Sequence, residues 1–480
     1  MSLPFYNRTN ELAALERAWK HSLPGGQFAL LYGRRRLGKT HLLQHFFGEK
    51  PHAYHLADQS TPALQRLSLA QTLLEALPDE GVAPEEIAQT WNTLLRFVSQ
   101  SLRGRVERFG LILDEFAYLI QQSPELPSML QSWWDREGLK LPLLLVLCGS
   151  QLSTMRELGM QSAPLFGRFN AGIWRLEPLD YGDSALFYQD TPYTIAEKLL
   201  LYGMLGGTPR YHALLDPSQS LAQAICDLLL RPGAPLESEI QFLLGSEQIR
   251  DPAPYHATLT AIARGRTQAG QIADVTGIEV SGLAYYLNRL VELDWIQRSR
   301  PFDERSDRRA LWEIRDPFLT FWYRLVYPRL SALAFTPAEA VWASQLAPQL
   351  SVYMGQYVFE KICHQWLRKH GLMQLGITIL EAGRWWSRNG QIELDVVARL
   401  DSGTFLFGEC KWAQAGLVGV DVYTSLVGKV QQLPEASWRE HPRYVLFSGS
   451  GFTSELEALA AAPSAALQLI GSAFLVSYAP

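Results

Sequence analysis

Cysteine is scarce in this sequence, and the cysteines that are present show no pairing pattern. Four cysteines are spread over 480 residues, without a CxxC pair and without a spacing typical of disulfide bonds. We therefore expect reduced thiols and a cytoplasmic location for the chain.

Long hydrophobic runs are also lacking. The most apolar stretch, LPLLLVLC at residues 141–148, is far too short to span a lipid bilayer. The first residues, MSLPFYNRTNELAALERAW, contain no apolar segment typical of a signal peptide. We expect neither export nor membrane insertion, and no membrane partner.

An excess of positive charge is the third feature that the sequence lacks. Lys and Arg number 43 against 48 Asp and Glu, so the formal net charge is −5. A contact with nucleic acid would have to come from local basic patches, because no global positive field would attract a phosphate backbone. This balance argues against constitutive tight binding to DNA.

Apolar residues, in contrast, are abundant. They make up 47% of the chain, with 11% aromatic residues, which is enough for several packed cores. A chain of this length predicts about three domains. Over roughly the first 190 residues, short apolar runs alternate with helical stretches, a pattern typical of helices packed on a mostly parallel sheet. The sequence therefore predicts a multidomain α/β protein.

Composition and turn signals divide the chain further. Residues 1–193 are predicted to form the α/β core, and residues 194–250 a helical lid, since strand signals vanish there. Residues 251–316 have the order helix, short helix, helix, strand, strand, which is typical of a winged helix-turn-helix. Residues 317–345 are predicted to be a connector rich in aromatics and proline. In residues 346–480, a long helix leads into short strands.

One stretch between an apolar strand and a helix matches the phosphate-loop pattern GxxxxGK[ST]. Its glycines let the backbone curl so that N–H groups face phosphates, its lysine adds a point charge, and its threonine offers a hydroxyl to Mg²⁺. The pattern predicts binding of ATP or ADP with Mg²⁺. We interpret the three arginines as the outer arch of the loop, facing solvent or the phosphates. The residues of the stretch are Gly33, Arg34, Arg35, Arg36, Leu37, Gly38, Lys39 and Thr40.

Two further strand ends complete the pattern. The run LILDEF ends in Asp114, which would hold the Mg²⁺ shell, and Glu115, which would activate the attacking water. The alternative is an acidic pair that caps a strand. The run LLLVLCGS ends in Ser150, which would sense the γ-phosphate or the water, or would form a simple turn.

These motifs resemble the archaeal-type ATPases, which also occur in bacteria and belong to the STAND and AAA+ side of the P-loop NTPases. The resemblance implies a P-loop NTPase core, and that Pro209 in GGTPR approaches the base or ribose of the nucleotide. It also implies that Arg168 stabilises phosphate charge, in cis or across a subunit interface of a homo-oligomer; the alternative is a surface arginine. The motifs that carry it are FxxRxxEL at 5–12, the loop at 33–40, DE at 114–115, CGSQLSTM at 148–155, PLFGRF at 164–169 and GGTPR at 206–210.

A second pattern lies near the C-terminus, where turn signals at 389–390 and 401–403 separate three runs of strand character. This predicts a β-meander. A three-residue loop with Gly403 in the left-handed conformation sets Asp395 opposite Glu409, and Glu393 opposite Lys411, on one face of the sheet. Two facing carboxylates repel unless a cation lies between them. We therefore expect Mg²⁺, or Mn²⁺ in its place, between Asp395 and Glu409.

The same residues form the D…ExK pattern of the PD-(D/E)xK nucleases, and the archaeal-type ATPases commonly carry a related domain after a segment like DPFLTFWYR at 316–324. The resemblance implies a restriction-endonuclease-like domain over residues 346–480, in which Lys411 positions the water and Glu360 on the preceding helix completes the site. DNA is the implied substrate. A surface ladder of salt bridges is the alternative for the strands, and a helix-surface glutamate for Glu360.

Basic residues crowd the predicted wing, where they are interleaved with acidic ones. Such a wing would hold a DNA backbone, or would dock on the nucleotide domain as in STAND-type ATPases. Its arginines are Arg298, Arg300, Arg305, Arg308 and Arg309.

The sequence as a whole predicts an Mg-ATP-dependent switch or motor joined to a metal-dependent DNA endonuclease, in genome defence or DNA processing. Two alternatives stay open. One is a regulatory or signalling ATPase whose C-terminal domain binds nucleic acid or a partner without cutting. The other is a nucleotide-dependent transcription regulator that reads DNA through residues 281–288.

Overall fold

The chain folds into two compact units, an N-terminal unit at Met1–Pro178 and a C-terminal unit at Leu179–Pro480. The computed structural model describes residues 5–23, 25–247, 249–412, 416–462 and 465–475. The sequence placed the end of the α/β core at residue 193, whereas residues 179–193 belong to the C-terminal unit. All four cysteines are buried with free thiols, as expected.

The N-terminal unit contains a parallel five-stranded sheet, as predicted, in the order β2-β3-β4-β1-β5. Every residue of β3 and β4 is buried, because helices cover both faces of the central strands. The strands are β1 (Gln27–Tyr32), β2 (His52–Leu56), β3 (Phe109–Asp114), β4 (Leu143–Gly149) and β5 (Gly172–Arg175). The helices are α1 (Thr9–His21), α2 (Lys39–Phe47), α3 (Pro62–Ala76), α4 (Pro84–Ile87), α5 (Trp91–Leu102), α6 (Phe116–Gln122), α7 (Leu126–Arg136) and α8 (Leu152–Leu158).

The C-terminal unit begins with helices, as expected for the predicted lid. They are α9 (Tyr181–Ala185), α10 (Ile195–Leu205), α11 (Pro209–Leu214), α12 (Leu221–Ile225) and α13 (Glu239–Ser246). Next come α14 (Ala253–Ala263), α15 (Ala269–Thr276) and α16 (Val280–Glu292), followed by β6 (Ile296–Ser299) and β7 (Leu311–Ile314), which pair antiparallel. These elements have the predicted order for residues 251–316, and their assignment as a winged helix-turn-helix stays a prediction.

The connector is helical and packed rather than extended. Its aromatic side chains Phe318, Phe321 and Trp322 are buried in the core of the C-terminal unit, so the start of this segment packs as part of that unit. The helices of the connector are α17 (Pro317–Phe321), α18 (Leu330–Phe335) and α19 (Ala338–Val341), and α20 (Leu350–Tyr353) and α21 (Phe359–Leu375) follow. Single π-helical turns lie at Cys226–Leu230, Trp322–Val326, Trp342–Leu346 and Met354–Val358. Short 3₁₀ turns lie at Gly138–Lys140, Leu186–Tyr188, Asp307–Arg309, Tyr327–Arg329, Ala347–Gln349 and Ala436–Arg439.

A second five-stranded sheet, in the order β12-β11-β10-β9-β8, follows α21. The strands β8, β9 and β10 form the predicted antiparallel meander, while β11 and β12 are added parallel to β10. The strands are β8 (Ile379–Trp386), β9 (Glu393–Leu400), β10 (Phe405–Lys411), β11 (Arg443–Ser448) and β12 (Leu467–Gly471). The remaining helices are α22 (Val420–Gln431), α23 (Ser454–Ala460) and α24 (Ser472–Leu475).

The predicted hairpin register between β9 and β10 is confirmed. The N–H of Leu400 donates to the carbonyl of Thr404 at 3.0 Å, and Val396 pairs with Gly408. Gly403 has φ of 80°, the left-handed conformation that the loop requires and that glycine adopts without steric cost.

Within the described ranges, no helix is both long and apolar enough to cross a membrane.

Candidate functional site

The ends of three neighbouring strands meet at one edge of the N-terminal sheet. β4 lies between β1 and β3, with Tyr32 beside Gly149 and Leu113 beside Leu147. Because parallel strands end at the same edge, the phosphate loop after β1, the acidic pair at the end of β3 and Ser150 after β4 come together. The structure thus gathers the residues that the sequence selected in this unit, except Arg168.

The lysine of the phosphate loop forms hydrogen bonds with carbonyl groups of the same loop. Gly38, with φ of 90°, precedes α2, and the buried ammonium of Lys39 donates to the carbonyls of Gly33 at 2.8 Å and Arg34 at 3.0 Å. Burial lowers the pKa of Lys39, while Glu115 and Asp114 oppose this shift. A buried cation at the N-terminus of a helix makes this loop suited to anionic phosphate groups.

Arg8, directly before α1, supports the loop, a contact that sequence reasoning did not assign. Its guanidinium donates to the carbonyls of Leu37 at 3.1 Å and Glu177 at 2.8 Å, and to the carboxylate of Glu11 at 3.2 Å. The motif FxxRxxEL, used only for the family resemblance, was the available signal.

Asp114 is almost fully buried and accepts three hydrogen bonds. Thr40 donates its hydroxyl to Oδ2 at 2.7 Å, Tyr54 donates to the same oxygen, and the N–H of Glu115 donates to Oδ1 at 2.9 Å. Burial and Asp114 raise the pKa of Tyr54, so its phenol stays a donor. A carboxylate beside a hydroxyl is the oxygen set that Mg²⁺ prefers, so these residues fit the ion. Tyr54 was not predicted, because no motif marks it.

Glu115 has both carboxylate oxygens bonded to Ser150. The Ser150 hydroxyl lies 2.9 Å from Oε1 and 2.8 Å from Oε2, and its N–H donates to Oε2 at 3.2 Å. The backbone of Glu115 has φ of 51°, a left-handed conformation that is uncommon for a residue with a Cβ. Ser150 thus contacts Glu115, while its role as a sensor of the γ-phosphate or of the water stays a prediction.

The loop arginines were expected to face solvent or the phosphates, but Arg35 contacts other side chains of this unit. Its Nε–H donates to the Ser150 hydroxyl at 3.3 Å, and its Nη2 donates to the phenol oxygen of Tyr118. The sequence gave no signal for this contact, since Tyr118 belongs to no motif.

Two predicted residues of the ATP site have other contacts. Arg168 lies at the surface, where it pairs with Asp135 at 3.0 Å and donates to the carbonyl of Phe166 at 2.9 Å. These contacts are those of the surface arginine that was the alternative, and its role at the phosphates, in cis or in trans, stays a prediction. Pro209 is the first residue of α11 in the C-terminal unit, a position that proline favours, and its approach to a nucleotide also stays a prediction.

The second cluster lies where the β9–β10 ladder stops. Beyond the pair Val396–Gly408, the N–H of Cys410 donates to the Asp395 carboxylate at 2.8 Å instead of to a strand carbonyl. The Glu409 carboxylate is buried and accepts from Lys411 at 2.7 Å and from Lys429 on α22 at 3.0 Å. Lys429 was missed, because α22 carries no motif.

Charge and burial act together on the carboxylates. Burial and the neighbouring Glu409 raise the pKa of Asp395, whereas the N–H of Cys410 lowers it. The nearby charge of Asp395 contributes to the pKa of Glu360, and the Glu360 carboxylate pairs with Arg384 at 2.9 Å. Burial raises the pKa of Glu360 to about 8. The strand residues Asp395, Glu409 and Lys411 therefore lie close together and Glu360 lies near Asp395, while Glu393 is exposed at the start of β9. That these residues act as one site stays a prediction.

Across the described part of the chain, no group of three or more His, Cys, Asp or Glu side chains is arranged to hold a metal ion. Glu360 pairs with Arg384, and a cation between Asp395 and Glu409 stays a prediction.

Three of the five arginines of the predicted wing, Arg298, Arg300 and Arg309, are paired with acids. Asp307 accepts from Arg298 at 2.5 Å and from Arg300 at 2.6 Å, and Glu304 accepts from Arg309 at 2.6 Å. These internal ion pairs reduce the positive charge that the wing presents to a phosphate backbone.

Comparisons with known proteins bear on the family and the fold of the chain. Residues 5–215 match the family model of an ATPase domain predominantly from Archaea, and residues 322–421 match a model described as archaeal and bacterial proteins of unknown function. An uncharacterized protein of Methanocaldococcus jannaschii is 29% identical over 413 residues, which are 85% of this chain and 87% of the relative.

A solved structure has a similar fold. The Walker-type ATPase of Pyrococcus abyssi matches with a TM-score of 0.52 and 20% identity, over 67% of this chain and 96% of that chain. Residues 5–215 are therefore similar to an ATPase domain of the predominantly archaeal type, and the fold resembles that of a Walker-type ATPase, while residues 322–421 match a separate family model of unknown function.

Proposed function

We propose that the ATPase domain binds Mg-ATP at the edge of the N-terminal sheet and that its hydrolysis drives a switch or motor. The observation that carries this is the contact between Thr40 and Asp114, whose hydroxyl and buried carboxylate oxygens lie 2.7 Å apart. These two groups would hold Mg²⁺, which, when bound, neutralises charge on the phosphates of ATP.

The other residues divide the remaining work. The N–H groups of residues 33–40 bind the β- and γ-phosphates. The Lys39 ammonium gives up its hydrogen bonds to the loop carbonyls and donates to phosphate oxygens instead. Glu115 accepts the proton of the attacking water, and Ser150 senses the γ-phosphate or that water. The side chains of Lys39, Glu115 and Ser150 are each hydrogen-bonded to a neighbour in this structure, so ATP binding replaces internal contacts.

Two variants test the assignment. Lys39→Ala should weaken ATP binding, because it removes the buried cation, while Glu115→Gln should bind ATP and hydrolyse it slowly, because an amide accepts no proton. Binding is measured with a fluorescent ATP analogue and turnover by phosphate release. Equal turnover in the wild type and both variants would contradict the proposed ATP site.

For the C-terminal unit we propose metal-dependent cleavage of DNA, in genome defence or DNA processing. The supporting observation is the cluster at the end of the β9–β10 ladder, where the Asp395 and Glu409 carboxylates lie beside the Lys411 ammonium. Asp395 and Glu409 would hold Mg²⁺ or Mn²⁺, which supplies Lewis-acid activation of the scissile phosphate. Lys411 would orient the water and stabilise developing charge, and Glu360 would assist from α21.

A second candidate function is a regulatory ATPase whose C-terminal unit binds nucleic acid or a partner without cutting. The pairing of Glu409 with both Lys411 and Lys429 favours it, because two ammonium groups already neutralise this carboxylate. The absence of a group of three metal-binding side chains in the described ranges points the same way.

One experiment separates the two. Purified protein is incubated with supercoiled and with single-stranded DNA, with and without Mg²⁺ and ATP, beside Asp395→Ala. Cutting that needs the divalent ion and fails in Asp395→Ala supports the nuclease. No cutting, together with no cation between Asp395 and Glu409 after a Mn²⁺ soak, supports the binding role.

A further inference from the structure

Three side chains connect the phosphate loop with Glu115. Arg35 belongs to the loop between β1 and α2, Ser150 follows β4, and Tyr118 lies in α6, three residues after Glu115. Because β4 lies between β1 and β3, Ser150 stands between the loop and the acidic pair.

The hydrogen bonds of Ser150 have a fixed direction. Arg35 donates its Nε–H to the hydroxyl oxygen at 3.3 Å. A serine hydroxyl has one hydrogen and accepts through its lone pairs, so with Arg35 on its oxygen it turns its hydrogen toward the Glu115 carboxylate. That carboxylate lies within 2.9 Å of the hydroxyl and also accepts the Ser150 N–H at 3.2 Å. Arg35 thus orients the Ser150 hydroxyl, and Ser150 in turn orients the Glu115 carboxylate.

Tyr118 anchors the guanidinium. Arg35 donates from Nη2 to the Tyr118 phenol oxygen, and the N–H of Tyr118 donates to the Glu115 carbonyl at 2.9 Å. A guanidinium is planar and presents its N–H groups in fixed directions, so two acceptors define its orientation. Tyr118 is therefore hydrogen-bonded through its own backbone to Glu115, and through its phenol to the arginine that helps to orient the Glu115 side chain.

We propose that Arg35 and Tyr118 are positioning residues for ATP hydrolysis, which hold the Ser150 hydroxyl against Glu115 and so couple the phosphate loop to the base. This inference rests on the proposed role of Glu115. Tyr118 acts through Arg35 and Ser150, and it contributes to turnover rather than to ATP affinity.

The test uses Tyr118→Phe in the full chain, because this change removes only the phenol oxygen. We expect kcat for ATP hydrolysis to fall by about 3- to 10-fold, with KM unchanged, since one oriented hydrogen bond is lost. Arg35→Lys, which keeps the charge but loses the planar fork, should lower kcat at least as much. Tyr193→Phe is the matched control, since it removes a phenol that bonds to the Gln219 carbonyl in the C-terminal unit.

A double variant supplies the readout that a structural role would not give. If Tyr118 acts through Ser150, Ser150→Ala combined with Tyr118→Phe should turn over ATP at the rate of Ser150→Ala alone. Losses that multiply, an unchanged kcat in Tyr118→Phe, or a loss confined to KM would overturn the inference alone. A wild type that hydrolyses no ATP, or Glu115→Gln with full turnover, would overturn the proposed ATP site and this inference with it.

Discussion

Glu409 is a buried carboxylate whose two partners are distant from each other in the sequence. Its side chain is only 7% exposed and accepts from Lys411 on β10 at 2.7 Å and from Lys429 on α22 at 3.0 Å. Removing one partner of a buried charge leaves part of that charge uncompensated, which costs more than losing a surface ion pair. The stability of this sheet therefore depends on a lysine that no motif identifies.

We predict that Lys429→Met destabilises the C-terminal unit by about 1–3 kcal/mol, because Glu409 would keep only Lys411. Midpoints of urea unfolding measure the effect. Lys20→Met is the control, since Lys20 is exposed and lies 3.7 Å from the exposed Glu16. Equal midpoints for the two variants would contradict a stabilising role of Lys429.

His212 gives the C-terminal unit a defined dependence on pH. Its buried ring accepts from the Tyr188 phenol at Nδ1 (2.8 Å) and donates from Nε2 to the Gly206 carbonyl (2.7 Å), so it is the neutral Nε2–H tautomer. Burial lowers the pKa of His212 from 6.5 to about 4, and the bond to Gly206 opposes this. The unfolded chain therefore binds a proton before the folded one does. Stability from this residue is present above pH 6.5 and is lost as the pH falls toward 4.

We predict a loss of about 3 kcal/mol from His212 between pH 6.5 and pH 4. His212→Gln should be less stable than the wild type at pH 7, and this difference should shrink over the same interval, as measured by urea unfolding at several pH values. His21→Gln, the same change at an exposed histidine, is the control. A difference that stays constant with pH would rule out titration of His212 as the cause.

At the scale of elements, local patterns were the ones that sequence predicted well. The hairpin of β9 and β10 follows from side-chain alternation and from one glycine loop, and its register is confirmed. The phosphate loop and the strand-end acids are likewise local motifs. Tyr54 and Lys429 were missed because each reaches its carboxylate through tertiary packing, and no spacing rule connects Tyr54 with Asp114, sixty positions later.

A larger residue in place of Gly403, in the loop of this hairpin, should lower the stability of the C-terminal unit. We predict that Gly403→Ala costs about 1–2 kcal/mol, because a Cβ is strained at φ of 80°. Gly428→Ala, inside α22 where a Cβ would have open space, should instead be neutral or stabilising by up to about 1 kcal/mol. Thermal unfolding of both variants measures this contrast, and equal shifts would argue against the strained turn.

The predicted wing should bind DNA weakly, because Asp307 pairs with both Arg298 and Arg300 and offsets part of their positive charge. We predict that Asp307→Asn raises the affinity for nonspecific duplex DNA several-fold at low salt and makes binding more sensitive to salt. Fluorescence anisotropy with a labelled duplex measures both. Tight binding by the wild type that is lost in Arg298→Ala would show instead that the arginines are already available.

At the scale of the whole molecule, the two clusters lie in separate compact units, so their activities should be separable by mutation. Asp395→Ala should abolish DNA cutting and leave ATP turnover intact. If the units communicate, the nicking rate should differ between apo, ADP-bound and ATP-bound protein by about 5- to 150-fold, the usual range for allosteric coupling, and Lys39→Ala should remove the difference. Identical nicking rates in every nucleotide state would mean two independent enzymes on one chain.

The place of β1 in the N-terminal sheet also has a consequence for protein synthesis. Gln27 pairs with Leu144, and Ala29 with Gly172, so both neighbours of β1 are translated long after β1 itself. As the chain leaves the ribosome, the apolar residues of β1 have no strand partners until β4 and β5 are translated. Pairing of strands so distant in sequence is also slow. The phosphate loop is thus among the first parts of the ATP site to be translated, yet it is completed only when β4 emerges. A ribosome-stalled chain that ends before Leu143 should bind no ATP.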